Sequence, residues 1–354
     1  MLLDCHTTLL MFSPLLSSGV IAKFISRTGH CPGNRAPMND YKELRSIYSG
    51  HFTVIGKITC LYFVDGDSMG TQDGYKKRVH HDTLVNKSEY QDLYISLKNK
   101  HAKNLIRDWA ETTDPLKHVF EDISLAAFLI LLWSQRLGPK TKFVDIGCGN
   151  GVLVYLLLME GYEGYGFDAR RRKSWSIFPQ HVQDCLHEKV LLPWFLEDVS
   201  GDSVHNGRFD DGMFLISNHS DELTPYTPLL AALTPGSAFL AIPCCEHDFS
   251  GAKVGGGLLR STEITAETVS LGQGKYGKYC EWICEIAREM GWTVEREMLR
   301  IPSTRNVGIV GREIACQGDR ELALEVIRKV GGQNGFDGFI ERAKGLKDKV
   351  HRGH

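Results

Sequence analysis

Three glycines, Gly147, Gly149 and Gly151, alternate directly after the apolar run Lys142–Ile146. Two acids flank them: Asp145 before the first glycine and Asp168 about twenty residues further on. At a strand-to-helix turn, glycines let a ligand approach the backbone, and the helix start offers free N–H groups. A dinucleotide site of the form G-x-G-x-x-G would need glycine at the position held by Val152. A carboxylate at the end of a strand sits poorly beside a pyrophosphate and well beside an ammonium group. Asp168, after the next strand, is placed to accept hydrogen bonds from both hydroxyls of a ribose. The bland alternative is a tight turn with surface acids.

The pair of acids around G-x-G-x-G resembles the class I S-adenosylmethionine-dependent methyltransferases. That resemblance implies S-adenosyl-L-methionine as cofactor, held by Asp145, Gly147, Gly149, Gly151 and Asp168. Further stretches narrow it: DPLKHVFEDISLAAFLILLW from Asp114, YEGYGFDARRRKSW from Tyr162, SNHSDELTPY from Ser217, IPCCEHDF from Ile242 and LRIPSTRN from Leu299. Over roughly residues 85–315 the set is similar to the eukaryotic tRNA (uracil-2′-O-)-methyltransferases that modify uridine 44 of serine tRNAs. The resemblance implies methyl transfer to a uridine 2′-hydroxyl, release of S-adenosylhomocysteine, tRNA as partner and a cytoplasmic location. Rival readings are a catalytically silent tRNA-binding subunit that keeps the fold, and a methyltransferase acting on protein or a small molecule.

In a doubly wound sheet, ligands bind beyond the carboxyl ends of the strands, where the strand order reverses. The strand candidate Gly212–Ser217 runs into Asn218, His219, Ser220, Asp221 and Glu222, in the fourth-strand position. A ribose hydroxyl is a very weak acid, so a nearby base would speed methyl transfer by roughly 10²–10⁴-fold. Alignment of oxygen, carbon and sulfur would supply the rest. Asp221 is the first candidate for base or hydroxyl orienter and His219 the second. Asn218 would fix the ribose or the cofactor, and Glu222 would serve as a helix-start acid. The plain alternative is a polar cap before Pro225.

Arg170, Arg171, Arg172 and Lys173 leave the cofactor strand on the same edge of the sheet. Either they form a solvated face or they meet tRNA phosphates, where four contacts would give a salt slope of roughly −3 to −4. Trp175 beside them would stack an exposed base or lie in the core, with the core favoured. Arg300 and Arg305, with Ser303, Lys275 and Lys278, are further candidates for an RNA rim. Cys244, Cys245 and His247 invite a zinc reading, but adjacent cysteines lack C-x₂-C spacing, so no metal site is assigned. Cys280 and Cys284, four apart on a helix, read as half-buried thiols.

The elements that must hold these residues alternate. Strand candidates are Lys142–Ile146, Gly164–Phe167, Gly212–Ser217, Ala238–Ile242, Thr293–Leu299 and Val307–Arg312, the last two as an antiparallel edge pair. Helices are expected over Gly151–Glu160 and Gly277–Met290, with turns at Thr234–Gly236 and Gly255–Gly257. Upstream, Ser88 is expected to cap a helix reaching Trp109, with a basic face from Lys98 to Arg107. Asp114-Pro115 opens a second helix ending near Gly138, apolar enough to cover a sheet. The pattern predicts an α/β fold: a doubly wound, seven-stranded, Rossmann-like class I methyltransferase sheet with N-terminal helices. Residues 1–85 read as a weakly structured region, 86–315 as the methyltransferase domain and 316–354 as a basic helical tail.

Composition agrees with that scheme. The chain has 354 residues and a formal charge of −2, so nucleic acid would have to meet a local basic patch. Ten cysteines scatter singly apart from the adjacent pair, which suits a reduced compartment better than a disulfide framework. The run from Leu125 to Trp133 is too short to span a bilayer. Asp4 and His6 stand where a signal peptide needs positive charge, so the start reads as an extension and no membrane role is expected.

Overall fold

A computed structural model describes residues 82–138, 140–254, 274–331 and 335–351. The chain divides into two compact units, Met1–Asp65 and Gly66–His354, and every described residue belongs to the second. The expected region 1–85 therefore lies almost wholly outside the described residues, as does the turn Gly255–Gly257.

Helix α1 (Lys87–Leu97) continues through a π-helical turn, Lys98–Ala102, into α2 (Lys103–Arg107). Asn86, not Ser88, caps it: the Asn86 side-chain oxygen accepts from the Ser88 and Glu89 N–H groups at 2.8 and 3.4 Å. Its extended backbone and short amide suit the role better than a residue already inside the helix. The widened turn buries His101, whose Nε2 lies 2.7 Å from Glu160 Oε1. The helix stops before Trp109, which instead donates Nε1–H to the Thr113 carbonyl at 2.9 Å and stacks on His118. Helix α3 (Pro115–Arg136) starts where expected, with Asp114 accepting from the Leu116 N–H at 2.9 Å.

The chain then lays down β1 (Lys142–Ile146), α4 (Val152–Met159), β2 (Gly164–Asp168), α5 (Gln180–Gln183), β3 (Leu186–Glu188), β4 (Val190–Leu191), β5 (Val204–His205) and β6 (Met213–Asn218). After these come α6 (Thr227–Ala232), β7 (Ala238–Ile242), α7 (Lys275–Glu289), β8 (Trp292–Met298), β9 (Val307–Ile314), α8 (Arg320–Val330) and α9 (Asp337–His351). Seven strands form one sheet in the order β3-β2-β1-β6-β7-β9-β8, while β4 and β5 pair separately. All neighbours run parallel except β9, which is antiparallel to both β7 and β8. β6 is the fourth strand of this sheet in chain order, as the sequence suggested. The expected antiparallel pair closes one side, with β8 at the edge.

Alternation along the strands builds a core on each face. Phe143, Phe214, Leu240 and Ile242 pack with the helices before β1 and with α4. Val144, Ile146, Leu215 and Phe239 pack with α6, α7 and α8. Cys280 and Cys284 are wholly buried in the second core, not half-buried, because α7 turns that face to the sheet. The stretch after residue 315 adds to the same core through Ala323, Val326, Ile327, Phe339 and Ala343. Among the described residues, no helix is long and apolar enough to cross a membrane.

Candidate active site

Strand order reverses between β1 and β6, and a crevice of about 650 Å³ opens beyond their carboxyl ends. That volume falls in the range of small-molecule sites, and its position at the reversal is the one expected for an open α/β sheet.

The turn after β1 forms one wall. Gly147, Gly149 and Gly151 adopt φ of 73°, 51° and 75°, values that L side chains resist. A Cβ at Gly149 would meet no protein atom within 4 Å, so a ligand in the crevice can lie against its backbone. Gly147 and Gly149 line the crevice; Gly151 does not. Gly151 instead turns the chain into α4, where a Cβ would press on Leu186 and Trp175 at 3.1–3.2 Å. Trp175 is fully buried and donates Nε1–H to the Gly149 carbonyl at 2.8 Å. The core placement is borne out, and the indole also braces the glycine turn.

Asp145 is 2% exposed, and its Oδ1 has no hydrogen-bond partner. Burial, with Asp168 adding to it, pushes its carboxyl up to about 8. Asp168 accepts from the Gly149 N–H at 3.1 Å on one oxygen and from the Arg170 N–H at 3.0 Å on the other. Each oxygen keeps a free lone pair, and the side chain lines the crevice. Asn218 Oδ1 is likewise buried and unpartnered. These orphaned oxygens fit a ligand that brings N–H or O–H donors and positive charge.

Helix α3 supplies two acids that sequence reasoning did not single out. Glu121 and Asp122 are buried, line the crevice and interrupt an otherwise apolar helix. Asp122 is pushed up to about 8, first by burial and then by Asp145 and Glu121. An adjacent acid pair between Phe120 and Ile123 on a sheet-covering helix was the available signal. Helix α9 supplies another wall with Phe339, Arg342 and Leu346; Arg342 also donates to the Ser250 carbonyl. Its signal was the spacing of Phe336, Phe339, Ile340, Ala343 and Leu346.

The turn after β6 carries side chains. His219 and Asp221 hold φ of 55° and 45°, and both line the crevice. His219 Nε2 lies 2.8 Å from Glu121 Oε1, a contact that raises the imidazole's pKa against the effect of burial. Asp221 is exposed and accepts a weak bond from Cys244 Sγ at 3.4 Å. Asp221, Cys244 and Cys245 bring three donor atoms within 4.8 Å of one another. Burial pushes the Cys244 thiol up to about 12.

The cations divide. Arg170 and Arg172 line the crevice mouth, with Arg172 3.6 Å from Asp168. Arg171 and Lys173 are exposed outside it, Arg171 lying over Trp175. Arg300 and Arg305 are not free: Arg300 grips Asp82 through two bonds of 2.9 and 2.7 Å, and Arg305 pairs with Glu246 at 2.5 Å. Lys275 lies 3.8 Å from Glu246. Neither Arg300 nor Arg305 lines the crevice.

A family described as predicted AdoMet-dependent methyltransferase matches residues 84–193. A protein of Schizosaccharomyces pombe named tRNA (uracil-O(2)-)-methyltransferase is 46% identical over 290 residues, covering 75% of this chain and 57% of that protein. A Saccharomyces cerevisiae protein of the same name is 40% identical over 337 residues, covering 81% of this chain and 58% of its own. Among solved structures, magnesium protoporphyrin IX methyltransferase from Synechocystis PCC 6803 with bound SAH aligns at a TM-score of 0.32 and 16% identity, over 64% of this chain and 100% of that one. The chain spans somewhat over half the length of the curated relatives it matches. Across about three quarters of its own length, the chain is a homologue of the fungal tRNA (uracil-O(2)-)-methyltransferases.

Proposed function

We propose that this chain is an S-adenosylmethionine-dependent tRNA ribose methyltransferase of the cytoplasm, acting on the 2′-hydroxyl of uridine 44 in serine tRNA. The observation that carries the reading is the buried Asp145 carboxyl, its Oδ1 without a partner, in an acid-lined crevice at the strand-order reversal. An amino-acid ammonium is the kind of group that satisfies such an oxygen. Asp145 and Asn218 would hold the amino-acid end of the cofactor, and Asp168 its ribose. Gly147 and Gly149 would lie against it through their backbone. When bound, S-adenosylmethionine supplies a methyl group on a positively charged sulfur, and the surrounding acids favour that charge. Arg170, Arg171, Arg172 and Lys173 form the exposed cationic rim next to the crevice and would meet tRNA phosphates. The choice of nucleotide and of tRNA rests on the sequence resemblance alone.

The test is transfer of labelled methyl groups from the donor to total tRNA, followed by nuclease digestion. Labelled 2′-O-methyluridine is the expected product. RNA binding without label would overturn the reading, as would label on another nucleoside. Mapping nucleotide 44 in tRNA from cells lacking the protein tests the position.

A further inference from the structure

Moving a methyl group onto a hydroxyl requires that a proton leave, and one contact in the crevice is arranged to take it. His219 and Glu121 come from opposite sides of the site, 98 residues apart in sequence, and meet at 2.8 Å. The Glu121 side chain is 3% exposed and the His219 side chain 41%. A carboxylate can only accept, so in the neutral imidazole the hydrogen lies on Nε2 and the lone pair on Nδ1. Among the described residues, no polar atom bonds to Nδ1. The histidine is also held in left-handed backbone at φ 55°, a conformation retained where the surroundings over-determine it. Asp221, the neighbouring candidate, is solvent-exposed, and among the described residues no cationic side chain orients it. Carboxylates as a class are also weaker bases than imidazoles.

We propose that His219 is the general base of this crevice and Glu121 the positioning residue that fixes its tautomer and orientation. The assignment rests on the ribose-methylation reading above. In the step, the ribose O–H bond breaks and its proton passes to Nδ1. The oxygen's electron pair forms the bond to the methyl carbon as the carbon–sulfur bond breaks, and the electrons of that broken bond stay on sulfur. His219 is left as an imidazolium beside the Glu121 carboxylate and returns the proton to water through its exposed edge. This is the logic of a base oriented by a third group.

The groups around the imidazole set its titration. From α3 come Lys117, His118, Glu121 and Asp122; from its own turn, Asp221 and Glu222; and from α9, Arg342, all lining the same crevice. The Glu121 bond acts most strongly, favouring the charged imidazole; burial opposes it, as does Lys117.

The experiment uses the full chain and two variants, Glu121→Gln and His219→Asn, the latter because asparagine tolerates left-handed backbone. Three quantities are read: turnover on tRNA against pH, donor affinity by calorimetry, and the His219 titration by NMR. His219→Asn should lose roughly 100-fold in turnover while keeping its donor affinity. In Glu121→Gln, the NMR midpoint and the rising limb of the pH–rate profile should shift together to lower pH, a movement that a purely structural residue would not cause. Full turnover in His219→Asn overturns the base, and an unmoved midpoint and limb in Glu121→Gln overturn the positioning role. If the wild-type chain binds donor yet methylates no RNA, the functional reading fails and the base falls with it. Active wild type with a dispensable His219 sinks the assignment alone.

Discussion

The turns after β1 and β6 lie at the ends of adjacent parallel strands and both use left-handed backbone, yet they are built from opposite materials. The first places glycine at each left-handed position; the second places His219 and Asp221 there. Glycine takes that conformation freely, whereas other L-residues resist it at a cost of order 1–2 kcal/mol. The first turn leaves its backbone bare toward the crevice at Gly149. The second turn keeps side chains in the crevice at left-handed positions and accepts the strain.

The largest test of that contrast is Asp168→Ala. Its carboxylate both holds the Gly149 N–H and faces the crevice. Donor affinity by calorimetry should fall about 100-fold, near 3 kcal/mol, with the fold intact. Unchanged affinity would remove Asp168 from the ligand side of the glycine turn.

A second test uses pH. The Asp145 carboxyl ionises near 4 when unfolded and at about 8 in the fold, as does that of Asp122. Between these values the folded chain keeps protons that the unfolded chain has lost. Stability from these groups is therefore full below about 4 and declines as pH rises toward 8. Asp145→Asn should flatten that decline in denaturant titrations. Donor binding at neutral pH should release protons, seen as a heat that varies with buffer. A variant that keeps the full wild-type slope would show that Asp145 is not the buried acid responsible.

Two substitutions probe the backbone directly. Gly147→Ala should cost about 1–2 kcal/mol in chemical denaturation, because φ is 73°. Asp221→Gly, the reverse exchange, should stabilise the chain by about 0.5–1 kcal/mol. A loss in place of that gain would mean the second turn is not strained.

Much of this architecture was legible in the residues themselves. β1 and β7 match their expected spans residue for residue, because each is a short, largely apolar stretch bounded by turn residues. β3, β4 and β5 were missed, being two or three residues long and too short to show a period. The acids beside the glycines were legible through their spacing from a recognisable turn. Glu121 and Asp122 were not, since nothing local says that α3 passes over the strand ends. The same limit applies to Arg300 and Arg305: both read as free cations, and only the fold supplies Asp82 and Glu246 as partners.

The wall that α9 contributes has a consequence for how the chain is made. Residues from Glu111 to Leu346 must converge before the crevice has all its sides. A growing polypeptide therefore exposes the glycine turn and its acids well before it can close the cup around them. The side of the crevice that α9 forms is therefore in place only once synthesis has passed Leu346.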